Sequence, residues 1–218
     1  MKRRILCFLL NITIAWAPAI LCFGANNSNE ARKVLEATEA HINKAGGLCI
    51  SFKATTLLGK TPQGTSTGTM DIMGRKFTLK STDMLTWFDG KTQWSLQSGD
   101  NEVAMTEPTG AELQAINPYA FLTIYKRGFK YKMKQGKLSN GKEGYKLFLN
   151  ADNAKQEIRE IYLEVDKQYN PVRISMRQGK NQWVRIVVNS FKGGQKFADS
   201  HFTFPQDKYP NTIIIDLR

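Results

Sequence analysis

The stretch Gly64-Thr65-Ser66-Thr67-Gly68 is the segment of this sequence spaced most plainly for chemistry. It matches G-x-S-x-G, the sharp turn that presents a nucleophilic serine, and Asp166 or Asp199 followed by His201 completes the Ser-Asp-His order on paper. Such an elbow needs a buried strand before the serine and a helix after it. Here Pro62-Gln63 precedes and the alternating run Thr69 to Met73 follows, so the segment reads as a threonine-rich hairpin loop. His41 and His201 have no second histidine or cysteine at metal spacing, so zinc lacks a ligand set. Glu102, Glu107, Glu112, Glu157, Glu160 and Glu164 include no pair that the sequence can place across a cleft, and neither a phosphate loop nor a dinucleotide fingerprint is present. The expectation is a protein that is not an enzyme and holds neither cofactor nor metal.

The elements around these residues point elsewhere. Lys2, Arg3 and Arg4 precede an almost wholly apolar run from Ile5 to Phe23, and Cys22 and Gly24 are small residues at the −3 and −1 positions before Ala25. That pattern predicts a signal peptide over 1–24, cleaved near Gly24, with one domain over 25–218. The competing readings are an uncleaved anchor helix, which Asn11, Pro18 and the marginal length disfavour, and lipidation at Cys22, although Leu21 stands where such signals want a small residue. Of the three cysteines only Cys49 would remain after cleavage, so no intrachain disulfide is expected. The net charge of +12 falls to about +9 without the leader. Lysines such as Lys130, Lys132, Lys134 and Lys137 alternate with apolar residues, as on the solvated face of a sheet. Export and the absence of clustered aromatic platforms exclude a nucleic-acid partner and leave a weak attraction to anionic membranes.

Ser28 or Asn29 can cap a helix to about Ala45, with Ala31, Leu35, Thr38, Ile42 and Ala45 as its apolar stripe and Gly46-Gly47 as its stop. Eleven or twelve short strands follow, including Leu48 to Leu58, Gly68 to Met73, Phe202 to Phe204 and Thr212 to Leu217, and the turns between them suggest one antiparallel meander that must curl. In MLTWFDGKTQWSL, Met84 to Leu96, Asp89-Gly90 predicts a two-residue type I′ hairpin. Leu85 and Trp87 share one face of its first strand, Met84 and Phe88 the other, and Trp94 and Leu96 share a face of the second. Pro108 to Gly128 breaks the pattern with two short helices. The second carries Tyr119, Phe121, Leu122, Ile124 and Tyr125, more apolar surface than one face holds, so it should lie inside the curled sheet.

Taken in order, the first helix, Gly68 to Ser81, the FDGKTQWSL hairpin, the NPYAFL helix and the ending FTFPQDKYPNTIIIDLR resemble the periplasmic outer-membrane lipoprotein carrier family, LolA. The resemblance implies an α+β, mainly antiparallel fold: an incomplete, half-open β-barrel of about 11 strands with an N-terminal helix and short lid helices. It also implies a periplasmic, monomeric carrier. Its cargo would be lipid-anchored lipoproteins, its donor an inner-membrane ABC transporter and its destination an outer-membrane acceptor. In the family an arginine holds the lid closed; Arg75 occupies the matching place, with Lys76 where the family's proline falls. The candidate acyl-chain lining is Met70, Ile72, Phe77, Leu79, Leu85, Trp87, Trp94, Leu96, Met105, Phe121, Leu122 and Tyr125. Methionines among them, with Met73 and Met84 nearby, suit a pocket that adapts to chains of different length. The alternatives are a regulatory sensor or another lipid-binding half-barrel without carrier activity, and an exported esterase using Ser66.

Overall fold

The computed structural model describes residues 25–109, 128–153 and 156–218, together with Leu113, Tyr125 and Lys126. The expected leader and most of the expected lid segment, Phe121 and Leu122 included, lie outside the described residues.

Helix α1 (Ala25–Lys44) forms because Ala31, Val34, Leu35, Thr38 and Ile42 recur at helical spacing, and all five are buried. Gly46, at φ 69°, ends it. The helix starts before the expected Ser28 or Asn29 cap. Asn27 serves another end: its Oδ1 accepts the Met133 backbone N–H at 2.6 Å. Met133 lies on an edge strand, and covering such an edge with a helix blocks stray strand pairing.

Twelve strands follow: β1 (Gly47–Leu58), β2 (Thr61–Met73), β3 (Lys76–Ser81), β4 (Met84–Phe88), β5 (Gln93–Gln97), β6 (Glu102–Thr106), β7 (Phe129–Lys137), β8 (Glu143–Ala151), β9 (Ile158–Asp166), β10 (Pro171–Gln178), β11 (Gln182–Gln195) and β12 (Ile213–Asp216). They make one sheet in the order β12-β6-β5-β4-β3-β2-β1-β11-β10-β9-β8-β7, so its edges are β12 and β7 and it is not closed into a barrel. The half-open architecture is as expected. β6, next to the β12 edge, and β7, the other edge, thus lie far apart in the sheet although consecutive in the chain.

Four local expectations are corrected. The FDGKTQW turn is a four-residue loop, since Phe88 pairs with Gln93. The Asp89 carboxylate accepts the Lys91 and Thr92 backbone N–H groups, both at 2.8 Å, and Asp89 does not take the positive φ that a type I′ turn asks of its central residues. β2 begins at Thr61, so Gly64 to Gly68 is strand, held between β1 and the loop after β3. The Phe202 to Phe204 segment is not a strand: Phe202 closes a 3₁₀ turn, Asp199–Phe202, and Thr203 and Phe204 come after it. Finally, β12 pairs with β6 in parallel, because the 196–212 segment carries the chain back along the sheet before β12 begins.

Period-two alternation then sorts the side chains. On the inner face Leu48, Ile50, Met70, Ile72, Phe77, Phe88, Met133, Leu147, Leu149, Ile161, Leu163, Ile174 and Ile186 form one cluster with the apolar stripe of α1.

Candidate functional site

The register fixes which candidates share a surface. Ile50 pairs with Met70, Met70 with Leu79, Leu79 with Thr86, Thr86 with Ser95, Ser95 with Ala104 and Ala104 with Ile215. This inner row runs from a fully buried centre at Met70 to an exposed end at Ile215. The next row joins Ile72, Phe77 and Phe88, with the Phe77 and Phe88 rings 5.3 Å apart. Met70, Ile72, Phe77 and Leu79 therefore lie together on the concave side. Thr86 and Gln93 are buried on the same side, and the Thr86 hydroxyl and Gln93 carboxamide oxygen have no hydrogen-bond partner among the described residues.

Leu85, Trp87, Trp94, Leu96 and Met105 occupy the other face. Trp87 pairs with Trp94, Leu85 with Leu96 and Trp94 with Met105, one residue out of step with the inner rows. Trp87, Leu96, Val103 and Phe204 form a second buried cluster, against which Leu85, Trp94, Tyr209 and Ile214 pack. Its cover is the segment after β11. The Phe204 ring meets Trp87 edge-on at 5.3 Å, Tyr209 stands 6.0 Å from Trp87, and Lys76 Nζ ties the segment down through Asp199 Oδ1 at 2.7 Å. Of the 12 candidates, four thus lie on the inner surface and five on the outer, and Phe121 and Leu122 lie outside the described residues.

Tyr125 stands at the end of the expected lid segment and is buried in the inner cluster. Its hydroxyl donates to Glu39 Oε2 at 2.8 Å, Lys126 Nζ donates to Glu39 Oε1 at 2.6 Å, and the Tyr131 hydroxyl donates to the Tyr125 carbonyl at 2.5 Å. One carboxylate of α1 thereby clasps two consecutive residues. Burial alone would raise the Glu39 carboxyl, but the bonds from Lys126 and Tyr125 outweigh it and hold it below its ordinary value. Burial, then the Glu39 carboxylate, push the Tyr125 phenol far above its own. No spacing rule links residues 39 and 125, so this clasp had no signal in the sequence.

Arg75 is exposed in the two-residue turn between β2 and β3, where Gly74 supplies the φ of 62°. Cys49 lies beside Asp71, and burial together with that carboxylate pushes its thiol up, away from the reactive thiolate. The hydrolase arrangement is not assembled. The Ser66 hydroxyl pairs with Thr82 at 2.8 Å, whereas His201 Nε2 lies 2.8 Å from Asp71 Oδ2 on the opposite face of the sheet. Among the described residues no cluster of His, Cys, Asp or Glu could hold a metal ion, and no helix is long and apolar enough to cross a membrane.

Comparison with protein families gives a match over residues 21–180 to the family described as outer membrane lipoprotein carrier protein LolA. The chain belongs to this family. A comparison with curated proteins finds no match. Among solved structures, a LolA superfamily protein from Nitrosomonas europaea is 10% identical at a TM-score of 0.42, covering 80% of this chain and 97% of its own. An outer membrane lipoprotein-sorting protein domain from Vibrio parahaemolyticus is 8% identical at 0.43, covering 82% and 99%. MucB of Pseudomonas aeruginosa, in a complex with MucA, is 12% identical at 0.37, covering 84% and 62%. Likenesses this loose assign no function to the LolA-type sheet described above.

Proposed function

We propose that this LolA-family protein is a periplasmic carrier that shields the acyl chains of lipoproteins between the inner and outer membranes. On this reading residues 1–24 are its cleaved signal and 25–218 its one domain. The observation that supports it best is the inner face of a sheet that never closes, where buried Met70, Ile72 and Phe77 lie beside half-buried Leu79 and the row continues through Thr86, Ser95 and Ala104 to exposed Ile215. A lipid anchor gains about 0.8 kcal/mol per methylene on leaving water, so many methylenes need such a surface. The lining we assign is Met70, Ile72, Phe77, Leu79 and Tyr125, with Phe121 and Leu122 as further candidates. The tryptophans wall the sheet from behind. The Thr86 hydroxyl, which has no partner among the described residues, would donate to an ester or amide carbonyl where an acyl chain meets its polar head. Arg75 is the candidate latch, and release to an acceptor needs no covalent step.

The test is a release assay. Spheroplasts bearing labelled lipoproteins on their inner membrane, with a competent ABC transporter, are incubated with the purified protein. A soluble one-to-one complex with lipoprotein is expected. Lipoprotein that stays membrane-bound would overturn carriage.

A further inference from the structure

The outer face of the sheet over β7 to β11 has a chemistry that carriage inside the sheet does not use. Its side chains fall into three adjacent rows. One row reads Lys132, Phe148, Tyr162, Ser175, Arg185; a second reads Lys134, Lys146, Glu164, Arg173; a third reads Lys130, Asn150, Glu160, Arg177, Trp183. The rings form a continuous strip at the centre, with Phe148 edge-on to Tyr162 at 5.2 Å and Tyr162 stacked on Trp183 at 5.5 Å. They floor a groove of about 820 Å³ that Lys60, Lys146 and Arg185 border.

The charges on this face are not balanced. Both carboxylates in the three rows are taken up by arginines beside them: Arg173 Nη2 lies 2.6 Å from Glu164 Oε1, and Arg177 pairs with Glu160. Glu164 is buried and also accepts the Ser139 backbone N–H at 2.9 Å. Lys130, Lys132, Lys134, Lys146 and Arg185 have no carboxylate partner among the described residues, and all but half-buried Lys146 are exposed. Four inter-strand spacings and two two-residue steps give the patch dimensions of about 19 by 14 Å. A single anion would need convergent donors, and an acidic peptide a line of them. Here the unpaired cations are spread around a strip of rings with Tyr162 at its middle and Trp183 at its β11 end, Tyr and Trp being the residues that favour the membrane–water boundary.

We propose that this outer face is a docking surface for a membrane rich in anionic phospholipid. The cations would meet the headgroups while Tyr162 and Trp183 sit at the boundary, and the apolar inner face would stay on the far side of the sheet. Docking would be salt-sensitive, because exposed charges are screened within about 8 Å at physiological ionic strength.

The test uses the purified protein and lipoprotein-free vesicles, so it does not depend on carriage. Sedimentation is measured with vesicles of phosphatidylcholine alone and of phosphatidylcholine with one quarter phosphatidylglycerol, at low salt and at 0.5 M salt. Binding is expected only with phosphatidylglycerol and at low salt. At about fivefold per charge, K132Q/R185Q should weaken it more than tenfold. K80Q/K208Q, which neutralises exposed cations away from the β7 to β11 patch, should leave it unchanged. Brominated lipid should quench tryptophan emission in the parent protein and not in Trp183→Phe. Each variant is first checked for a native circular dichroism spectrum, and Lys132→Gln alone, about fivefold weaker, serves if the double variant misfolds. Binding that ignores phosphatidylglycerol, or that survives K132Q/R185Q in folded protein, would place lipid on the inner face instead and overturn the proposal, as would no binding at all.

Discussion

Trp87 and Trp94 stand directly opposite one another across β4 and β5, yet the Trp87 ring packs against Phe204 on the outside of the sheet, not against the inner core. The segment after β11 is therefore a structural cover, fastened over the half of the sheet that β4 to β6 build. Trp87→Ala should cost about 3 kcal/mol of unfolding free energy, since it empties a buried site without collapsing it. Phe204→Ala should cost a similar amount. The double variant should lose about 1 kcal/mol less than the sum, reflecting the edge-to-face pair. Urea denaturation of the four proteins measures the cycle; additive losses would mean that the two rings do not stabilise one another.

The same register puts Leu79 and Leu85, neighbours on β3 and β4, on opposite faces. Leu79→Gln should lower the affinity for a fluorescent fatty-acid probe about fivefold, roughly the effect of one lost apolar contact of methylene size. Leu85→Gln should reduce stability and leave probe affinity unchanged in the folded fraction. Probe titration against both variants decides the matter, and the reverse result would move the lipid to the tryptophan face.

This division of faces marks the limit of what could be read from the residues. The stripe of α1 and the alternation of β1 and β8 to β11 were legible because each buries one side. β4 was not: Thr86 and Phe88 are buried on one side and Trp87 on the other, and a strand covered on both faces reads as an unbroken apolar run with no direction. The outer cover itself was missed because Phe202 and Phe204 alternate like a strand, while their burial comes from packing across the sheet rather than pairing within it. The Glu39 clasp joins residues far apart in sequence through one side chain, which no periodicity records.

That clasp gives a pH dependence. Tyr125→Phe removes one hydrogen bond to a charged acceptor and should cost about 1–2 kcal/mol near neutral pH. Because the folded protein holds the Glu39 carboxyl below its ordinary value of 4.5, the stabilisation is fully present above that value and is lost as pH falls through the lowered one. The gap between parent and Tyr125→Phe should therefore be constant from pH 8 to about pH 5.5 and narrow below about pH 4. Tyr125, displaced upward, keeps its proton through this range, so no second change is expected on the alkaline side below about pH 10. Urea midpoints across the acid range check this, and a gap that persists undiminished at pH 3 would remove Glu39 as the acceptor that matters.

Arg75 differs from its neighbour in a way that bears on its proposed role. Lys76 is tied to Asp199, whereas Arg75 is exposed at the hairpin tip with no ion pair among the described residues. A side chain held to the sheet by other charges is poorly placed to reach over a lid; a free guanidinium at a tight turn can present several donors to backbone carbonyls. Arg75→Leu should change unfolding free energy by no more than about 0.5 kcal/mol, as for other exposed positions. It should still take up lipoprotein from spheroplasts, because the apolar lining is intact. Once loaded, it should fail to pass cargo to outer-membrane vesicles bearing the acceptor. Lys76→Leu should loosen the outer cover and transfer cargo normally. If Arg75→Leu delivers its load as the parent does, the latch is elsewhere, and a transfer defect in Lys76→Leu alone would place it one residue along.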